Sequence, residues 1–184
     1  MKKLDNRKKL LLAAAWKRSG SAATLLQRVL DMEISYLGYT EQLDGWSMFG
    51  QWYADNIAHD QGFARDDWCA MFQTYCMIHC GVPATMWPRT SPQGSAVSYL
   101  AAWLADRGFE IQRSAMPAKF DIILYSWTSD PSSLDHVGMV QSVTGQTPAT
   151  AVLNVIEGNK GGAVGYRQIR WTDTQIARVF RLHN

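Results

Sequence analysis

Cysteine is scarce in this chain and oddly counted. Three cysteines in 184 residues, all between positions 69 and 80, rule out the paired framework that staples small secreted folds. At least one thiol must stay free. Cys76 and Cys80 lie one turn apart on what reads as a single helix, where a bridge would demand strained geometry, so both are expected as small buried apolar residues. Long hydrophobic runs are also missing. No segment reaches the roughly 20 apolar residues of a membrane span, and no stable membrane insertion is expected. Excess charge is small as well: the formal net charge is +2, with seven Lys/Arg against one Asp in residues 1–18, which leaves residues 19–184 at about −4 by difference. A nucleic-acid partner is thereby disfavoured, because it would need a broad basic face and not a basic tail.

That tail imitates a secretory signal only loosely. Asp5 interrupts its cationic part, the apolar run Leu10–Trp16 is seven residues long, and Lys17-Arg18 stands where a cleavage site would begin. The expected organisation is a short basic helix over residues 1–20 and one domain over 21–184, long enough to bury a core without cross-links.

Within that domain, Leu25, Val29, Met32 and Tyr36 recur on one helix face, with Ser21 as a cap and Gly38 as a stop. Residues 39–67 mix Gly, Asp and aromatics without a period and read as ordered loop with short helical turns. The run Asp66–Cys80 reads as a helix, with Asp66 or Asp67 as N-cap, Ala70, Phe72, Tyr75, Cys76 and Ile78 along it, and Gly81 and Pro83 ending it. Val97, Leu100, Ala101 and Leu104 make a further helix closed by Gly108. After Pro117 the period changes to two, over Phe120–Tyr125, Val137–Val143, Ala151–Glu157, Ala163–Arg170 and Ile176–Arg181. The links between these strands are too short for parallel crossovers. Helices first and an antiparallel sheet of about five to six strands afterwards define an α+β domain with helices packed on the sheet.

Cys69 falls in the first turn of its helix, among unpaired backbone N–H groups and the positive end of the dipole, which favour a thiolate. A thiolate nucleophile works with a histidine base, and the base with a group that fixes its tautomer. Of four histidines, His183 is at the end of the chain, and His79 is about 15 Å up the same helix. His59, in the aromatic loop, remains open. His136 stands where a loop enters a strand, a rigid position suited to a base. Glu157 ends the following strand, on the face of Leu153 and Val155, where an antiparallel neighbour brings it beside His136. Read without further context, Glu157 is equally a solvated strand-end carboxylate, and Gly158-Asn159 a plain turn.

Trp68-Cys69-Ala70-Met71-Phe72, Phe120-Asp121-Ile122, Asp135-His136-Val137-Gly138-Met139-Val140 and Ile156-Glu157-Gly158-Asn159, in this order, resemble the CHAP family of cysteine, histidine-dependent amidohydrolases/peptidases. Leu37–Glu41 and Phe49–Tyr53 are similar to the first part of that family's domain, and the similarity spans roughly residues 21–181. The resemblance implies a papain-like fold and a CHAP-like catalytic domain over 21–184, with Cys69 as nucleophile, His136 as base, Glu157 as orienting carboxylate and Asn159 as a polar partner. It also implies peptidoglycan as substrate, cut at an amide by endopeptidase or amidase action. Trp68, Trp127 and Asp135 would then be substrate-contacting. Among Trp46, Trp52, Trp68, Trp87 and Trp127, two or three are expected at the site and the rest in packing. The family's Pro-Gly-Asp is replaced by Pro117-Ala118-Lys119-Phe120-Asp121, a change expected to loosen that turn.

Two other functions compete. A metal module on Cys69, Cys76, His79 and Cys80 fails on geometry, since one helix face cannot surround a tetrahedral ion. A catalytically silent wall-binding or phage-structural protein would keep the fold. No cofactor is expected; calcium through Asp55, Asp60, Asp66 or Asp67 lacks an ordered ligand spacing. The expected protein is a monomer that acts on the cell wall, released from a host cytoplasm as a phage lysin is, or secreted by another route.

Overall fold

The computed structural model describes residues 22–183 apart from 129 and 131; the basic segment 1–18 and the helix expected there lie outside them. The first helix among the described residues, α1 (Ala22–Ser35), buries Leu26, Val29, Leu30 and Met32, and Tyr36 just past its end. Leu26 takes the place expected for Leu25 because it lies one turn before both Val29 and Leu30. Gly38 follows at φ 76°. In the aromatic stretch, Ser47 accepts a bond from the Gly50 N–H at 2.9 Å and starts α2 (Met48–Tyr53). A π turn, Ala54–Ala58, and a 3-10 helix, Gln61–Arg65, complete the expected short helical turns.

The next helix, α3 (Cys69–His79), is buried from Cys69 through Met77. Its expected aspartate cap is corrected by the structure. The N-cap position is Trp68, which makes no side-chain cap bond, while Asp66 accepts from the Asp67 N–H and Asp67 accepts from Asn159. One carboxylate is spent on the adjoining backbone and the other on Asn159 beyond β3, so no side chain covers the cap. The last helix, α4 (Val97–Ala105), buries the four residues of its predicted stripe.

Five strands follow: β1 (Ile122–Tyr125), β2 (His136–Thr144), β3 (Val152–Glu157), β4 (Gly165–Arg170) and β5 (Ile176–Phe180). They form one antiparallel sheet in the order β4-β3-β2-β1-β5. Period-2 alternation divides its side chains. Leu124, Val137, Met139, Ile156 and Phe180 join the helices in the main core. Ile123, Tyr125, Val140, Leu153, Val155 and Trp171 form a second cluster on the opposite face, flanked by Ile111. Gly158 lets the end of β3 approach α3, since a Cβ there would lie 2.6 Å from Phe72.

The turn before β1 is not loosened. Phe120 adopts φ 75°, a conformation that costs a non-glycine residue about 1–2 kcal/mol. Buried Asp121 offsets this by accepting from the Ala118 N–H at 2.8 Å and from Arg181 through both oxygens at 2.8 Å.

Candidate active site

The cleft sits where β2 begins and β3 ends, against the start of α3. The register pairs Gly138 with Glu157, which puts His136 and Glu157 on one face as diagonal neighbours. Oε2 of Glu157 lies 3.2 Å from Nε2 of His136. Glu157 is fully buried and His136 nearly so. Cys69 lines the same cavity as the imidazole and acts on its charge from the start of α3.

Electrostatics follow from this placement. Burial works against a charge on His136, but its bonds and charge interactions with Cys69 and Glu157 prevail and raise its pKa from 6.5 to about 9. Burial likewise opposes ionisation of Glu157; His136 and Arg167 outweigh it and hold the carboxyl below its ordinary value. Arg167, which the sequence reading did not single out, donates from Nε to Oε1 of Glu157 at 2.7 Å. Its position on β4 puts it on the Glu157 face, but only the strand register reveals that.

Cys69 is the common wall of two cavities, of about 400 and about 480 Å³, which also share Asp67 and Asp135. The first continues along Trp127, His136, Asn159, Lys160 and Arg167, and the second along Phe63, Pro92, Ser95 and Leu134. The Trp127 ring is 5.6 Å from that of His136 and stacks on Tyr125 at 5.5 Å. Asp135 fixes the same loop, accepting from the Trp127 N–H at 2.7 Å. Asn159, at φ 55°, ties the end of β3 to the segment before Cys69 through Asp67 at 2.9 Å.

Trp68 does not line the cleft. Its ring is fully buried, stacked on Phe49 at 5.2 Å, and its N–H bonds Glu41 at 2.7 Å. Trp87 is in the core, and Trp52 packs on Tyr75 and His79. Of the five tryptophans considered, only Trp127 lines these two cavities, fewer than expected. His59 is exposed beyond the π turn and lines neither cavity. Among the described residues, no group of three or more His, Cys, Asp or Glu side chains is gathered as a metal site would be, and no helix is long and apolar enough to cross a membrane.

A thiol at the start of a buried helix, set against an imidazole–carboxylate pair on an antiparallel sheet, is the arrangement of a papain-like α+β protein. The family model of the CHAP domain matches residues 58–159, more than half of the chain, and the chain belongs to that family. The family is one of peptidoglycan-hydrolase-type amidases and peptidases, in general dependent on cysteine and histidine. No curated protein and no solved structure matches the chain.

Proposed function

We propose that this protein hydrolyses an amide bond of peptidoglycan, within or next to the stem peptide, with Cys69 as nucleophile, His136 as general base and acid, and Glu157 as the group that orients the imidazole. The observation that carries the reading is His136, paired with the buried Glu157 at 3.2 Å and lining one open cleft with Cys69. Sγ of Cys69 attacks the carbonyl carbon, and the proton held by His136 passes to the leaving amine. A water, deprotonated by the same imidazole, then releases the acyl group, and the sulfur departs as thiolate beside the reprotonated imidazole. The uncapped first turn of α3 supports the reading further. The Cys69 N–H, at the first position of α3, would be one donor to the oxyanion.

The test is digestion of purified peptidoglycan by the full chain, with the products read by mass spectrometry. Muramic acid released from its stem peptide would define an amidase, and new termini within the peptides, with muramic acid still peptide-linked, an endopeptidase. Cys69→Ala should abolish both while the circular dichroism spectrum stays native. Undiminished digestion by that variant would sink the proposal, as would a wild-type protein that binds walls but releases nothing, the behaviour of a silent binding or structural protein.

A further inference from the structure

Glu157 has two charged partners, and the register sets them on opposite sides of it. Gly138 on β2 and Gly165 on β4 stand directly across from Glu157. His136 precedes Gly138 by two residues and Arg167 follows Gly165 by two, so in these antiparallel pairings they flank the carboxylate along the axis of β3. One oxygen bonds forward to His136 at 3.2 Å and the other backward to Arg167 at 2.7 Å. The guanidinium is itself held, with its carbon 5.0 Å from the Trp127 ring centre and 5.3 Å from that of Tyr125. Stacking of this kind restrains a planar cation and leaves its N–H groups directed in the ring plane.

We propose that Arg167 is a positioning residue of the site: by fixing one oxygen of Glu157 it keeps the other aimed at the imidazole, and so holds His136 in the ring orientation that faces Cys69. The inference rests on the catalytic reading given above. Without Arg167, Glu157 would retain a fully buried oxygen with no cation beside it. The carboxyl would then rotate or take up a proton, and either change removes the anionic acceptor from His136. Other groups around the pair do not replace the cation. Tyr125 stays protonated, because burial and then the charge of Glu157 push its hydroxyl well above the ordinary value. Asp173 acts on Arg167 and Tyr125 with a negative charge. Asp67, Asp135 and Lys160 share the cavity wall, and Cys69 faces the imidazole from α3.

The test compares Arg167→Met, Arg167→Gln and Arg167→Lys in the full chain, with folding checked by circular dichroism. One readout needs no turnover: the NMR titration of the His136 ring. Its midpoint should fall by at least about one unit in the Met and Gln variants and recover in part with Lys. On peptidoglycan, kcat should fall on the order of tenfold or more with KM nearly unchanged, and the alkaline limb of the pH profile should move with the ring. An unchanged titration in the Met and Gln variants overturns the proposal, as does a loss confined to KM, which would make Arg167 a substrate contact. If the Met and Gln variants fail to fold, the Lys variant decides: a lowered His136 midpoint with lowered kcat supports the proposal, and a wild-type titration overturns it. A titration shift in a protein that cuts no peptidoglycan leaves the positioning role intact and removes the functional reading. Wild-type cleavage with no shift does the reverse.

Discussion

Gly138 stands directly opposite Glu157 in the β2–β3 pairing, and the missing side chain there is what lets Glu157 reach His136. A Cβ at position 138 would lie 2.7 Å from Cγ of Glu157, 2.7 Å from a methyl of Val155 and 2.9 Å from the Ile156 carbonyl. Two of those neighbours are side chains locked in the sheet and the third is backbone, so none yields easily.

Gly138→Ala should therefore act on the site before it acts on the fold. Stability should drop by about 1–3 kcal/mol from overpacking. Hydrolysis should drop much further, by on the order of 10²-fold, because the carboxylate is displaced from the imidazole. Parallel measurement of urea unfolding and kcat checks this; a variant as active as the wild type would contradict it.

Glu157→Gln removes one of the two groups that raise the His136 pKa to about 9. The NMR midpoint of His136 should fall toward the ordinary 6.5, and kcat by at least about 10²-fold. In the wild type, the folded value lies above the unfolded one, so the pairing stabilises the protein fully below about pH 6.5 and loses that contribution as pH rises through about 9. Denaturant titrations at pH 6 and pH 9.5 should show this fall in the wild type and a smaller one in the variant.

Trp127 is 44% exposed beside the imidazole and lies under Arg167. Trp127→Ala should raise KM by roughly 2–10-fold, the range of one aromatic contact. A change in kcat alone would assign the ring to supporting His136 and Arg167, without contact to the substrate.

Glu33 is fully buried next to Gln73, far above its ordinary pKa because burial disfavours the charge more than Gln73 compensates. It is therefore neutral in the fold but ionised in the unfolded chain above about pH 4.5. Wild-type stability should decline as pH rises from there. Glu33→Gln should remove this slope and gain roughly 1–3 kcal/mol at pH 7, read from unfolding curves at pH 4.5 and 7.

Much of the fold was legible because burial imposes its period on the chain. The stripe in Val97–Leu104 and the alternation after Pro117 located α4 and all five strands to within a few residues. Short turns between strands also decided their antiparallel sense. The expected cap of α3 failed for a local reason: Asp66 and Asp67 are competent caps, but each already accepts another bond, one from the adjoining backbone and one from Asn159, 92 residues away. Trp68 was misplaced because adjacency to Cys69 in the chain says nothing of direction. Consecutive positions at a helix start point apart, and its indole goes inward to Phe49 and Glu41.

By itself the sequence determined the elements and their order, because helix starts, strand ends and turn lengths are encoded within a few residues of each other, and it offered Cys69, His136 and Glu157 as candidates through the resemblance of the motifs around them. Tertiary structure alone decided which groups meet. The open cap at Cys69, the gap over Gly138 and the arginine behind Glu157 depend on side chains brought from α3, β2, β3 and β4. Such contacts follow from strand register and helix docking, to which all the packed residues contribute together and which no short stretch of chain specifies.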